Sequence, residues 1–540
     1  MVELINNKGK QWDYFSKGAV KGFAFKEGVL LEKEFLYNIL LEAISVNSLP
    51  NVLTQLNGNF VAVLTLKNEC YLIVDKLRSY PLFYSFYKGL HICDVGEQLL
   101  NYVPCNLDEI NVYELLSLGY LSGNTTIVEN VKSVVAGSYV VIDLENNNDY
   151  QYNYYSHICE KIKIGKRLLF DVAVQKLEGA FSRMISSIGK DQHILIPLSG
   201  GYDSRLIACL CKRCNIENVT CFTYGRIDSF EVEISKIVAA KLNYKWHFVE
   251  YSEDTWLNFL SGKDFQEYCK FAGNLTANPH FQDLPALIEL KRKGVITCNM
   301  VVVPGHSGDL LGGSKIPVQI LENNLKSFTS ETLADLIYDN LFDLNILKKE
   351  YKNRIITKLK KELDGVDIHT IDQFLDYYEP YWFIKTKVAN FLVNSMRGYE
   401  YVGLDWRLPL WDDEYVRVWY EIEWKNKYYS RLYNEFMFNK YFIPFDVAIS
   451  KHRTILSSDI GLYFKRLIPY SLSYTFRKIR NYSQQKKLQK HFDAFDFVSQ
   501  YLFKLSDVDR YKGIDSINLN NVNAIVAAYY LKKIDNTLSY

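Results

Sequence analysis

Residues 193–204 read HILIPLSGGYDS, and this stretch decides how the rest of the chain is interpreted. Its first six residues form a mainly apolar run, typical of a buried strand, and the mostly apolar residues 205–211 after the turn favour a helix. Gly200 and Gly201 lack a Cβ atom, so the backbone there can turn tightly and approach a ligand closely. The stretch therefore predicts a strand, a glycine turn and a helix.

The same turn carries groups that bind phosphate. Backbone N–H groups at the start of the predicted helix point toward an anion, and the helix dipole assists them. Two serine hydroxyls flank the turn, and an aspartate there can hold a divalent cation against the same phosphates. We therefore predict a pyrophosphate-binding loop made of Leu198, Ser199, Gly200, Gly201, Asp203 and Ser204.

The spacing of this loop separates it from other phosphate-binding motifs. A Gly-Gly turn alone is usually only a turn, but here it stands within Ser-Gly-Gly-x-Asp-Ser directly after an apolar run. The loop lacks the Gly-x4-Gly-Lys pattern of a Walker A motif and the glycine spacing of a dinucleotide fingerprint. It resembles the signature of the ATP pyrophosphatase superfamily, whose members cleave ATP to AMP and pyrophosphate while they adenylate a substrate.

Length and composition limit the number of domains and the class of protein. A chain of 540 residues can hold two or three domains, and 48% hydrophobic with 23% charged residues is typical of a soluble globular protein. The net charge of +1 offers no bulk attraction to nucleic acid, so we predict no nucleic-acid partner. No apolar run reaches about 18 residues, so we predict no transmembrane segment.

The ten cysteines do not supply two C-x-x-C units, which argues against a zinc site. Cys209, Cys211 and Cys214 crowd one segment, where the helical context favours packing. Free thiols, together with the lack of a secretory leader pattern, predict a cytoplasmic protein.

Two regions of different pattern follow each other along the chain. Residues 1–155 carry short strand patterns at 59–64, 70–75, 78–84 and 136–142, with weaker ones at 119–120 and 126–127, which suggests stacked antiparallel sheet. The polar residues 146–153 break this rhythm and predict a linker.

Residues 165–456 alternate strand and helix patterns, which predicts an α/β domain with a doubly wound parallel sheet. Further strands are predicted at 219–225, 246–249 and 301–303. Because ligands bind beyond the carboxyl ends of such strands, we expect Ser199, Thr223 and Gly305 to face one crevice.

The remaining residues 457–540 have a helical, aromatic and basic pattern. Residues 465–490 carry eight Lys or Arg and no acid. Two interpretations stay open: a solvated helical face, or a surface that contacts anionic lipid or a phosphorylated carrier.

Over roughly residues 50–456 the chain resembles the asparagine synthetase family. Four segments carry the resemblance: LNGNF at 56–60 with PLFY at 81–84, the loop at 199–204, the glycine-rich loop at 305–313, and GLDWRLPL at 403–410. The resemblance implies a degenerate amidotransferase-like sheet sandwich of the Ntn type over 1–155 and an ATP pyrophosphatase domain over 165–456. It also implies ATP and Mg²⁺ as cofactors, with Asp203 and Asp309 as metal ligands and Gly305 at the nucleotide.

Three departures from the family pattern bear on function. First, the family's glutaminase needs a cysteine directly after the initiator methionine, where this chain has Val2. We therefore expect no glutamine hydrolysis, and ammonia supplied by a separate glutaminase is one source of nitrogen.

Second, His306 stands where the family has a catalytic glutamate. Lasso-peptide cyclases and polysaccharide-associated relatives resemble this chain in having a histidine there. A neutral imidazole there could deprotonate an attacking amine, and a structural role is the alternative.

Third, the family places a lysine on the loop that closes over the adenylate. Register leaves Lys451 or Arg453 in that role, where a cation would stabilise charge on the phosphates. A surface basic pair is the alternative.

Together these features predict an ATP-dependent ligase that adenylates a carboxylate and transfers it to ammonia or an amine. Main-chain groups of Thr223, Tyr224 and Gly225 would contact adenine. Asparagine is the family's usual product, while a glycan-modifying or lasso-cyclase-like ligase and a catalytically silent nucleotide-binding scaffold remain alternatives. A homodimer is left open.

Overall fold

A computed structural model describes residues 2–5, 8–104, 106–189, 191–322, 325, 327–450, 495–518 and 521–536, and all structural statements concern these residues. Lys451, Arg453 and the basic stretch 465–490 therefore lie outside the described residues. The chain has a mixed α/β architecture with a sheet-rich N-terminal region followed by a parallel sheet.

The N-terminal region contains eleven described strands and three α-helices. The strands are β1 (Val2–Glu3), β2 (Trp12–Phe15), β3 (Gly18–Lys26), β4 (Val29–Glu32), β5 (Asn57–Leu66), β6 (Glu69–Val74), β7 (Phe83–Ser85), β8 (His91–Cys93), β9 (Lys132–Ser133), β10 (Ser138–Asp143) and β11 (Asp149–Asn153). The helices are α1 (Lys33–Ser45), α2 (Leu49–Gln55) and α3 (Glu109–Leu118), and a 3-10 helix spans Gly96–Asn101.

These strands form two layers. The larger, antiparallel sheet has the order β11-β10-β6-β5-β3-β2, with β4 paired to β3, and the smaller has the order β1-β8-β7-β9. Side chains alternate along β5: Ala62 and Leu64 pack against α1 and α2, while Val61 and Val63 join the core shared with the second sheet. The predicted sheet sandwich is confirmed.

Two local predictions were wrong. Residues 146–153 are not a linker, because β11 pairs with β10 as an edge strand, where Tyr152 stacks on Tyr139 with ring centroids 5.1 Å apart. An antiparallel sheet can expose one of its faces to solvent, so the polar residues of β11 are compatible with a strand. The weak patterns at 119–120 and 126–127 form no strand, and Tyr120 makes only an isolated bridge to Ala277.

The second sheet-forming region begins with a long helix. Its strands are β12 (His193–Pro197), β13 (Val219–Gly225), β14 (Lys245–Glu250), β15 (Met300–Val302), β16 (Asn345–Leu347), β17 (Asp405–Trp406) and β18 (Ile514–Ile517). Its helices are α4 (Lys166–Ser186), α5 (Tyr202–Arg213), α6 (Phe230–Leu242), α7 (Glu253–Ser261), α8 (Lys263–Gly273), α9 (Leu284–Arg292), α10 (Gly308–Leu311), α11 (Val318–Leu321), α12 (Ser330–Leu341), α13 (Lys349–Glu362), α14 (Ile371–Asp376), α15 (Arg397–Tyr401), α16 (Asp413–Tyr420), α17 (Arg431–Met437), α18 (Phe495–Ser506) and α19 (Val522–Asn536).

Five of these strands form a parallel sheet of order β14-β13-β12-β15-β17, and β16 pairs separately with β18. The chain runs outward from β12 through β13 to β14 and then returns to the other side of β12 as β15. The strand order therefore reverses between β12 and β15, and such a switch point leaves a crevice at the carboxyl ends of the strands. The predicted parallel sheet and its strands are confirmed.

The other helical segments are 3-10 helices at Val393–Met396, Pro409–Trp411, Trp424–Ser430 and Val508–Arg510, and π-helices at Tyr377–Leu392 and Phe438–Phe442. Within the described part of the chain, no helix combines the length and the apolar character that crossing a membrane requires. The helix α19 is buried and joins both regions, since Tyr530 donates a hydrogen bond to Glu97 and accepts one from the Leu275 backbone.

Candidate nucleotide site

The loop that follows β12 is held in shape by its own polar groups. The Ser199 backbone N–H donates to Ser204 Oγ at 3.1 Å, the two serine Oγ atoms are 3.1 Å apart, and the Gly201 N–H donates to Ser199 Oγ at 3.1 Å. The helix α5 then starts after Gly201 with no side chain capping its N-terminus. An uncapped helix start of this kind presents backbone N–H groups to an anion.

The loop after β15 packs directly on the start of α5. A Cβ atom at Gly305 would lie 2.2 Å from the Ser204 nitrogen, and one at Gly308 would lie 3.0 Å from Asp203 Cγ. Only glycine permits approach at this distance. The Asp309 backbone N–H donates to Asp203 Oδ2 at 2.9 Å, so the two loops are joined at the two predicted metal ligands.

Asp203 and Asp309 line the same cavity, which has a volume of about 390 Å³. No group of three or more His, Cys, Asp or Glu side chains suited to a metal occurs among the described residues. This fits Mg²⁺, which proteins commonly hold through one or two carboxylates and the phosphates of a substrate rather than through a complete protein cage. The residues therefore fit a magnesium ion that arrives with a nucleotide.

A second cavity of about 520 Å³ adjoins the first, and Ser199 and Tyr224 line both. It is also lined by Thr223 and Gly225 at the end of β13. The strand β12 ends at Pro197, opposite Phe222. Beyond that point one edge of β13 has no strand neighbour, so its backbone can contact a base.

The Thr223 side chain has a structural role, whereas its backbone borders the second cavity. Its hydroxyl hydrogen-bonds to the Leu198 carbonyl and to Ser235 Oγ, and it accepts a bond from Trp246. It thereby ties the exits of β12 and β13 together. The structure brings Ser199, Thr223 and Gly305 to one connected crevice, as expected.

His306 lies in the first cavity and is partly buried. Its Nε2 atom is 3.1 Å from Ser395 Oγ, which also contacts the Leu392 carbonyl at 2.6 Å. If the serine hydroxyl donates to that carbonyl, the Nε2–H group donates to the serine and Nδ1 is left as an acceptor. Burial, with a smaller effect of His280, lowers the pKa of His306 to about 4. The imidazole is neutral at pH 7, but this pKa is far below the optimum for a general base at that pH.

Sequence analysis missed one wall of the first cavity. His280, Gln282 and Asp283 precede α9, and Tyr399 faces them from α15. Asp283 accepts hydrogen bonds from the hydroxyls of Tyr224 at 3.0 Å and Tyr399 at 2.9 Å. The sequence offers little signal here, because the stretch HFQD at 280–283 mixes polar residues with the buried Phe281.

Arg205 is a second residue that sequence analysis passed over. It is fully buried on α5, and its guanidinium donates to the carbonyls of Gly200, Val447 and Ile449 at 2.9, 3.0 and 2.6 Å. One side chain therefore connects the predicted phosphate loop to the segment that leads to Lys451.

Comparison with known proteins gives one match over the site. Residues 184–434 match the family model for asparagine synthase. The match contains the whole parallel sheet, both loops at the switch point and the wall formed by residues 280–283. No curated protein matches the chain at significant similarity.

Several solved structures align with part of the chain at low similarity. An NH3-dependent NAD synthetase from Campylobacter jejuni subsp. jejuni NCTC 11168 is 16% identical, with 38% of this chain and 99% of that chain covered and a TM-score of 0.20. The U34-tRNA thiolase NcsA from Methanococcus maripaludis is 11% identical, with 40% and 79% covered and a TM-score of 0.21. An NMN synthetase from Francisella tularensis is 11% identical, with 40% and 94% covered and a TM-score of 0.18. Likeness at this level leaves the chemistry of this chain open.

Proposed function

We propose that this protein is an ATP-dependent amide-forming ligase. It would adenylate a carboxylate, release pyrophosphate, and pass the acyl group to ammonia or to an amine. A carboxylate is a poor electrophile and AMP is a good leaving group, so adenylation removes the main obstacle to amide formation.

One observation carries the proposal. Two loops leave neighbouring parallel strands at the switch point and meet at Asp203 and Asp309, in a cavity that opens at Ser199 into a second cavity beside the end of β13. The first cavity suits phosphates and an acyl substrate, and the second suits a nucleoside. The family match over 184–434 agrees with this arrangement.

The described residues suggest a division of roles. Backbone N–H groups at the start of α5 and the hydroxyls of Ser199 and Ser204 would bind the pyrophosphate portion of ATP. Asp203 and Asp309 would hold Mg²⁺, which neutralises phosphate charge when it is bound. Lys451 or Arg453 would contribute a further cation; Ile449, which precedes them, is fixed by Arg205.

His306 would serve the nitrogen nucleophile in its neutral form. With Nε2–H directed to Ser395, its Nδ1 atom can accept a hydrogen bond from an amine in the cavity. Given a pKa of about 4, positioning the amine is a better supported task than removing its proton. The product could be asparagine, an amidated sugar acid or another amide.

Pyrophosphate exchange tests the proposal. Labelled pyrophosphate should enter ATP only when a suitable carboxylate is present, and Asp203→Ala should abolish the exchange. Asp254→Asn, an exposed change on α7, serves as the control and should exchange at the wild-type rate. Exchange that survives Asp203→Ala would contradict the site, and nucleotide binding without exchange for any carboxylate in a broad panel would favour a silent scaffold.

A further inference from the structure

The charge distribution in the first cavity carries information about the substrate. Of the described residues that line it, three are carboxylates, namely Asp203, Asp283 and Asp309, and none is Lys or Arg. Two of these carboxylates face the phosphate loop. The third, Asp283, comes from a different element, the start of α9.

Asp283 does not cap the helix that it precedes, although its position is that of an N-cap residue. It is the N-cap residue of α9, where an aspartate side chain usually accepts a hydrogen bond from the helix backbone, yet its side chain makes no such bond. Tyr251 takes that place, since its hydroxyl accepts the Ala286 N–H at 3.2 Å and lies 2.7 Å from the Gln282 carbonyl. The Asp283 carboxylate is therefore left to face the cavity.

The carboxylate is held in place by neutral donors. The hydroxyls of Tyr224 and Tyr399 donate to Oδ1 and Oδ2, respectively, and no described Lys or Arg lines the cavity beside them. Each oxygen keeps a further lone pair for a ligand. Two hydrogen bonds fix the group without neutralising its charge, which is the arrangement of a preformed cation site.

The neighbouring histidines do not supply the missing charge. Burial lowers the pKa of His280 and lowers that of His306 to about 4, although Asp283 acts in the opposite direction on both. Burial therefore favours the neutral form of both rings. A positive charge opposite Asp283 must therefore come from a ligand or from a residue outside the described part of the chain.

We propose that Asp283 is a specificity-determining residue that binds a protonated amine in the acyl-transfer cavity. The inference rests on the proposed function and narrows its substrate class: one reactant carries an ammonium group, and a second free carboxylate is disfavoured on this wall. The ammonium can belong to the incoming nucleophile or to the carboxylate substrate itself. A dicarboxylate would place like charges together without a described cation to offset them.

Ligand-observed saturation-transfer NMR on the full chain tests this without turnover. The probes are methylammonium, which represents a free amine, and the matched pair 4-aminobutyrate and succinate, which have the same chain length and differ at one end in charge. We expect at least one amine probe to bind and succinate to bind at least about tenfold more weakly. Binding of methylammonium would assign Asp283 to the nucleophile, and binding of 4-aminobutyrate alone would assign it to the acyl substrate.

Asp283→Asn should weaken binding of the amine probe by at least about tenfold, whereas Asp254→Asn should leave it unchanged. Tyr399→Phe removes one hydroxyl but keeps the charge, so the preference for the amine should persist. The proposal is overturned if no amine probe binds to the wild-type chain, if succinate binds equally well, or if Asp283→Asn has no effect. Because wild-type binding decides the first two outcomes, misfolding of a variant cannot obscure the result. Pyrophosphate exchange and nucleotide binding report on the proposed function separately.

Discussion

At the scale of single residues, the site depends on groups that hold loops rather than on groups that react. Arg205 is the clearest case, because its buried guanidinium serves three carbonyls from two separate segments. The planar fork of arginine suits this geometry, and the single ammonium of lysine does not.

We expect Arg205→Lys to destabilise the fold by about 1–3 kcal/mol and to weaken ATP binding about tenfold. Chemical denaturation and calorimetric titration with ATP measure the two effects. Arg213→Lys is the matched control, since Arg213 lies on the same helix in an exposed ion pair with Glu178 and should cost less than about 1 kcal/mol. Equal effects of the two changes would contradict the role of Arg205.

His157 gives a prediction about pH. It is 3% exposed, neither ring nitrogen has a hydrogen-bond partner, and burial lowers its pKa from 6.5 to about 3. Below pH 6.5 the unfolded chain binds a proton at this residue that the folded chain does not bind. The stability should therefore fall as the pH decreases from about 6.5 toward 3, by about 2 kcal/mol at pH 5.

His157→Phe should remove this part of the acid sensitivity, as urea unfolding at pH 7 and pH 5 would show. His369→Gln, at an exposed position, is the control for the loss of a histidine as such. A variant of His157 that loses as much stability at pH 5 as the wild type would disprove the assignment.

The sequence alone could predict that candidate site residues lie close together where they belong to one short motif. Asp203 and Ser199 belong to one short string, so their proximity follows from the turn. Asp283 could not be found in this way, because its partners Tyr224 and Tyr399 are distant in sequence and meet it only through the fold. Whether His306 is catalytic remains a prediction.

At the scale of elements, the parallel strands were predictable and the edge of the antiparallel sheet was not. The strands β12, β13 and β15 are mainly apolar because both faces of the sheet are covered. The strand β11 is polar with exposed tyrosines, and its sequence does not differ from that of a loop until β10 is seen beside it.

The contact between the loops after β12 and β15 leaves no room for a side chain at Gly305. We expect Gly305→Ala to push the loops apart and to lower ATP affinity at least tenfold, because its Cβ would lie 2.2 Å from the Ser204 nitrogen. Gly179→Ala on α4, where the nearest atom is 3.8 Å away, should instead stabilise the helix by about 0.5–1 kcal/mol. Unchanged ATP affinity in Gly305→Ala would show that the close approach has no functional weight.

At the scale of the whole molecule, the N-terminal region has two stacked sheets, and its described thiols are not suited to catalysis. Cys70 and Cys93 are buried, and burial raises their pKa values to about 11 and about 12. A thiol that stays protonated at neutral pH is a poor nucleophile.

The purified protein should therefore release no glutamate from glutamine, while ammonium salts or amines should support amide formation. A coupled glutamate assay measures the first, and AMP release with added ammonium chloride measures the second. Glutamate release that disappears on substitution of one cysteine would contradict this prediction.

The account as a whole depends on a nucleotide held through a metal shared by Asp203 and Asp309. Calorimetric titration with α,β-methylene-ATP, which cannot be cleaved between the α- and β-phosphates, tests this directly in the wild type, in Asp203→Asn and in Asp309→Asn. We predict that Mg²⁺ strengthens binding at least about tenfold in the wild type and that either substitution abolishes the gain. Binding that is the same with and without Mg²⁺ in all three proteins would contradict the account.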